Sequence, residues 1–161
     1  MPKRRKSWQE KLHDSKDLPK VVELSEAQAR RAGAVPGATM VVPSPLEVDE
    51  AMRKVPEGRV TTINEIRRYL AQKHGTAVAC PMTTGIFAWI AAEAAEEAAA
   101  AGQTDTTPYW RTLKGKGELN PKYPGGVERQ RRLLEAEGIP VVQKGKRWVV
   151  PDYQERLATL A

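Results

Sequence analysis

The residue types able to do covalent or metal chemistry are few. Cys80 is the single thiol among 161 residues, and the two imidazoles, His13 and His74, stand far apart in the chain. One cysteine permits no internal disulfide and no cysteine cluster. The histidines have no metal-ligand spacing either, so neither a metal nor a cofactor is expected. Cys80 directly precedes Pro81, where a helix start would favour the reactive thiolate. The competing reading is a small side chain that fills space. What the chain does carry is positive charge: 26 Lys and Arg against 20 Asp and Glu, a net +6. An excess of that size favours an acidic partner, either nucleic acid or an anionic membrane surface. The cations come in groups: Lys3-Arg4-Arg5-Lys6, Arg67-Arg68, Lys114 with Lys116, and Lys144, Lys146 and Arg147. For any one of them, a solvated surface position is the plainer reading.

Those groups need elements to hold them. Residues 1–45 read as a basic, weakly structured N-terminal arm. Its apolar content is Trp8, Leu12, Leu18, Val21-Val22 and Met40-Val41-Val42, and the run AQARRAGAVPGAT reads as turn or linker. Trp8 and the valine pairs are expected to dock this arm on the rest. From Ser44 the signals become regular. Ser44-Pro45-Leu46-Glu47 is a capping box with Pro at the first helical position, and the helix stops at Pro56-Glu57-Gly58. Thr62-Ile63-Asn64-Glu65 is a second capping box. It opens a helix with Ile63, Ile66 and Leu70 on one face, Arg67 and Arg68 on the other, and Gly75 at its end. A third helix runs from Pro81 to about Ala101. The stretch from Gln103 to Gly126 is irregular, and a helix through Leu133-Leu134 closes at Gly138. Val141-Val142-Gln143 and Arg147-Trp148-Val149-Val150 flank Lys144-Gly145-Lys146, a hairpin with a basic tip. Asp152 to Leu160 reads as a short terminal helix.

Two helices in succession followed by a basic hairpin is the order of a winged helix-turn-helix, with the Pro81 helix offered to a groove. The fold class is therefore mostly α with a small β-hairpin, residues 46–161 forming the winged-helix domain behind the arm. The alternative is an ordinary α+β domain with a solvated hairpin tip. The longest nonpolar stretch, 85–92, is too short to span a bilayer. The N-terminus lacks the apolar core of a secretory signal, so a cytoplasmic protein without membrane partners is expected.

Several segments, in order, resemble the DNA-binding domain of the O6-alkylguanine-DNA alkyltransferases. Val55-Pro56-Glu57-Gly58-Arg59-Val60-Thr61-Thr62 with Glu65-Ile66 is similar to the family's entry into its helix-turn-helix, and Pro81 to Ala91 to its recognition helix. Pro108-Tyr109-Trp110-Arg111 is similar to its Pro-Cys-His-Arg active-site segment, and Leu133 to Gly138 to its closing Leu-Leu-x-x-Glu-Gly helix. The resemblance covers about residues 46–142. It implies transfer of an alkyl group from guanine to a cysteine thiolate, assisted by a histidine that a glutamate orients. Here Tyr109 stands at the cysteine position and Trp110 at the histidine position; Pro108, Arg111 and the distal Glu137 remain. A phenol with a pKa near 10 is mostly protonated at neutral pH, so self-alkylation by the family route is not expected and no catalytic residue is assigned.

The pattern resembles the alkyltransferase-like branch, in which the acceptor cysteine is replaced. The resemblance then implies a non-catalytic protein that binds duplex DNA, alkylated guanine included, and passes the lesion to a repair protein. Tyr109, Trp110 and Glu137 would form the base pocket. Thr61, Thr62, Arg67, Arg68, Thr83, Thr84, Arg111, Lys114, Lys144, Lys146 and Arg147 would contact DNA, the threonines lying at two helix starts suited to phosphate. Two departures stand against lesion binding. The base-flipping arginine position holds Gly85, and the phosphate-rotating tyrosine position holds Ile63. A scaffold for nucleic acid or protein on the same fold is the alternative, and an enzyme using Cys80 or Tyr109 covalently is a third reading.

Overall fold

A computed structural model describes residues 5–161; Lys3 and Arg4 of the basic tail lie outside the described residues. Four elements come before Ser44: α1 (Trp8–His13), β1 (Lys20–Glu23), α2 (Glu26–Ala32) and β2 (Thr39–Val42). The segment expected to have weak structure thus carries regular elements, and all of α2 but its first residue falls within the run that reads as a linker. Its start is a full capping box: Ser25 Oγ accepts from the Gln28 amide and Gln28 Oε1 from the Ser25 amide, at 3.2 and 2.9 Å. Gly33, at φ +68°, ends it in the left-handed conformation that favours glycine. At seven residues, α2 is too short to show a helical period.

The next three helices follow the sequence signals closely. In α3 (Pro45–Arg53) the Ser44–Glu47 box is made in both directions, and Val48, Ala51 and Met52 are wholly buried. In α4 (Ile63–His74) Thr62 Oγ1 accepts from the Glu65 amide, but the Glu65 carboxylate takes Arg68 at 2.6 Å instead of returning to Thr62. The two helices of the helix-turn-helix are joined by extended chain, β4 (Val78–Ala79). It pairs in parallel with β2 through Met40–Val78 and Val41–Ala79. Since β2 also pairs antiparallel with β1, a three-stranded sheet ties the N-terminal segment to the helix-turn-helix. In α5 (Pro81–Ala100), Ala88, Ala91, Ala92, Ala94 and Ala95 are buried. Their small side chains let α3 and α1 come close. The acidic end of α5 does part of the docking: Glu97 accepts from the Trp8 and Gln9 amides at 3.0 and 3.1 Å, and Trp89 meets Trp8 edge-on at 4.9 Å.

Within the irregular stretch, a 3-10 turn (Tyr109–Arg111) leads into β5 (Thr112–Leu113), which pairs in parallel with β3 (Thr61–Thr62). Then come α6 (Gly126–Ala136) and the hairpin of β6 (Val142–Lys144) and β7 (Arg147–Val149). A second core of Val60, Leu113, Leu119, Leu134, Ile139 and Val150 lies beneath the hairpin, each side chain contributing about 1.5–3 kcal/mol by burial. The Leu119 amide donates to Trp148 O and the Val150 amide to Gly117 O, so the hairpin is fixed to the 114–119 loop. The expected terminal helix is only a 3-10 turn, Tyr153–Arg156. The cause is competition for backbone: Val60 donates to Arg156 O and accepts from the Ala158 amide, which holds that chain extended.

Candidate nucleic-acid interface

The hairpin presents Lys144, Lys146 and Arg147 as exposed side chains. Lys144 and Arg147 share a groove of about 250 Å³ with Lys116 and Tyr153, and no carboxylate lines it. Lys114 and Lys116 flank Gly115, where an added Cβ would stand 3.1 Å from Asn64 Nδ2. The lysine-bearing loop therefore abuts the first turn of α4. On the other side of Asn64, a groove of about 530 Å³ is lined by Arg67, Arg68 and Gln72. Arg67 is held there by its Nε–H donating to Ala79 O at 3.0 Å, and Arg68 by Glu65. Of the expected contacts, Lys144 and Arg147 thus line one groove and Arg67 and Arg68 another, Lys114 lies in the loop that meets Asn64 at the edge of the second, and Lys146 is at the hairpin tip of this basic surface.

The threonines and Arg111 do not offer free groups to that surface. Thr61 is wholly buried and its Oγ1 has no partner among the described residues; Thr62 is spent on capping α4. Thr84 is wholly buried and donates to Cys80 O at 2.6 Å, while half-buried Thr83 contacts Cys80 Sγ at 3.1 Å. Arg111 is turned inward. Its Nε and Nη2 hold Glu137 at 2.9–3.1 Å and its Nη1 holds Val55 O at 2.8 Å. A hydroxyl or guanidinium so engaged is structural. What α5 does expose at its start is apolar, with Met82 73% and Ile86 46% accessible.

The three residues expected around a base come together, but around a filled site. Tyr109 is 1% exposed and packs edge-on against Trp110 and Tyr123, at 5.5 and 5.4 Å. Its hydroxyl donates to Glu96 Oε1 at 2.6 Å, and Arg129 grips the same carboxylate at 3.0 and 3.1 Å. Burial, reinforced by the Glu96 carboxylate, pushes the Tyr109 phenol far above its ordinary value. Trp110 is half-buried and donates through Nε1 to Glu137 Oε2 at 2.7 Å. Glu137 Oε1 also accepts from the Gly58 amide at 3.0 Å. Burial works against ionisation of Glu137, but Arg111, the Gly58 amide and Trp110 outweigh it and hold the carboxyl below its ordinary value.

Glu96, Arg129 and Gln130 were not legible as partners of this site. Gln130, wholly buried, donates to Trp110 O and accepts from the Asn120 amide. In sequence these three belong to an alanine-glutamate run and to a charged helix, patterns that read as solvated faces. Among the described residues, no three His, Cys, Asp or Glu side chains come together to hold a metal ion. No helix among them is long and apolar enough to cross a membrane.

Residues 43–139 match the family model of the 6-O-methylguanine DNA methyltransferase, DNA binding domain. The chain belongs to this family. The match begins in the turn before α3 and ends just after α6, so α1, β1, α2 and β2 lie outside the family domain, as does the basic hairpin. No curated protein matches the chain. Two solved structures of Schizosaccharomyces pombe proteins are similar at 21% identity, each match covering 71% of this chain and 94% of the other. One, S. pombe ATL in complex with DNA, has a TM-score of 0.53 and shares the fold. The other, S. pombe Atl1 in complex with damaged DNA containing O6-carboxymethylguanine, has a TM-score of 0.49.

Proposed function

We propose that the chain binds duplex DNA and accepts no alkyl group from it. The observation that carries this reading is the run of cations from the hairpin to α4: Lys116, Lys144 and Arg147 around one groove, then Asn64 and Arg67 around the next, beside Arg68 paired with Glu65. Phosphate contacts of this kind supply sequence-independent affinity that falls steeply with salt. Family membership agrees with it. The test is fluorescence anisotropy of a labelled duplex over a salt titration. Binding that weakens with a slope of several on the log–log plot supports the reading; absence of binding at low salt overturns it and leaves the protein-scaffold alternative.

Catalytic silence is part of the same reading. The position that the resemblance gives to the acceptor thiol holds a buried tyrosine whose phenol is pushed upward, and the single cysteine lies elsewhere in the family domain, at the start of α5. A finer reading adds preference for O6-alkylguanine and hand-over to a repair protein. Its support is that Trp110, half-buried beside Tyr109, keeps an aromatic side chain at the position expected to face a base. Equal affinity for duplexes with and without O6-methylguanine would reduce the proposal to general DNA binding.

A further inference from the structure

The basic surface does not end at the boundary of the family domain. Arg67 lines not only the α4 groove but also a second one, of about 460 Å³, on its far side. That groove runs between α2 and the start of α5. Gln28 and Arg31 come from α2, Leu24 from the turn after β1, Met40 from β2, and Met82 from α5; no carboxylate of the described residues lines it. Arg31 is exposed and, among the described residues, no carboxylate pairs with it, whereas its neighbour Arg30 is taken by Glu26 at 3.5 Å. Three grooves therefore follow one another. The hairpin groove carries Lys116, the loop through Gly115 touches Asn64, Asn64 and Arg67 line the α4 groove, and Arg67 opens the α2 groove.

We infer that the N-terminal segment is part of the DNA-binding surface: the groove between α2 and α5 receives the sugar–phosphate backbone of the duplex that the hairpin and α4 hold. The chemistry fits that occupant. Two guanidinium groups at the rim suit phosphate oxygens, and the Leu24, Met40 and Met82 side chains offer an apolar floor to the deoxyribose faces. The sheet pairing of β2 with β4 fixes α2 relative to α5, so the backbone of the groove is built before DNA arrives and the ordering cost of binding is confined to side chains. The inference rests on the proposed DNA binding and adds to it that residues outside the family domain share the load.

Two variants of the full chain separate the two readings: Arg31→Ala, which alters only the α2 groove, and Lys144→Ala/Arg147→Ala, which alters only the hairpin. Both are measured against a labelled duplex of random sequence by anisotropy, from low to moderate salt. Loss of one phosphate contact lowers the salt slope by about one and the affinity at 0.1 M salt roughly eightfold. That result for Arg31→Ala, with Arg31→Lys restoring the slope, supports the inference. Arg31→Ala with unchanged affinity and slope, while the hairpin variant binds more weakly, overturns it and leaves DNA binding to the family domain and hairpin. A wild-type chain that binds no duplex at low salt overturns the proposed function and this inference with it.

Discussion

The indole N–H of Trp110 points at Glu137 Oε2 across 2.7 Å, in the geometry of a base held by its orienting carboxylate. Indole, however, is a donor only. It has no lone pair with which to take a proton from a nucleophile, so Glu137 orients a group that cannot act as a base. The neighbouring Tyr109 is no substitute nucleophile, because burial and Glu96 hold its proton. Incubation of the protein with duplex containing O6-methylguanine is therefore expected to add no mass by intact-protein mass spectrometry. A methyl adduct on Cys80 or Tyr109 would refute this.

Glu137 gathers Trp110, Arg111 and the Gly58 amide, which joins the 3-10 turn, the turn before α4 and the end of α6. Its side chain is 8% exposed and that of Arg111 14%. Glu137→Ala would leave the Arg111 charge buried without a counter-charge, held only by the Val55 carbonyl, at a cost of about 3 kcal/mol. Urea unfolding checks this; a loss below about 1 kcal/mol would mean that water readily replaces the carboxylate.

Acid should act through the same group and through Glu47. Burial also opposes the charge of Glu47, but the Ser44 amide, His74 and Lys73 prevail and lower its pKa. Both carboxyls are thus depressed in the folded state. Their contribution is complete above the ordinary carboxylate range and is lost as pH falls through the folded-state values. The urea midpoint of the wild type is expected to drop between about pH 5 and 3. Glu137→Gln, less stable at neutral pH, should show a shallower decline, and parallel declines would count against the assignment.

Glu97 acts at the start of α1 as a capping residue supplied from another helix. Glu97→Ala removes the acceptor for the Trp8 and Gln9 amides and is expected to cost about 1 kcal/mol, as for other lost caps. Faster amide exchange confined to residues 8–13 is the matching readout. Unchanged exchange there would show that Trp8 packing on Trp89 alone holds the helix.

Gly117 sits at φ +77°, and an added Cβ would overlap the Tyr153 ring. Gly117→Ala is therefore expected to destabilise by more than about 1 kcal/mol and to loosen the hairpin, since Gly117 O accepts from the Val150 amide. Weaker duplex binding with the cations untouched would accompany it. Wild-type stability would show that the Tyr153 side of the loop yields freely.

The local signals in the chain were sufficient where one segment carried its own instructions. Ser44 with Glu47, Thr62 ahead of Ile63, Gly75 after His74 and Pro81 at a first helical position each mark a helix end by satisfying or sparing a nearby backbone group. The Lys144-Gly145-Lys146 tip between two apolar runs marks a hairpin for a similar reason. Family kinship was legible too, because motif order is a property of sequence. Everything that depended on distant partners required the tertiary structure. The pairing of β2 with β4 joins Val41 to Ala79 and ordered a segment that read as an arm; the pairing of Val60 with the chain around Leu157 left a 3-10 turn where a helix was expected. Charge alone could not distinguish Arg111, buried against Glu137, from Lys144 in water, nor show that Glu96 and Glu97 hold Tyr109 and α1. A side chain's type states what it can bond; which partner stands within 3 Å is decided by packing among residues far apart in the chain.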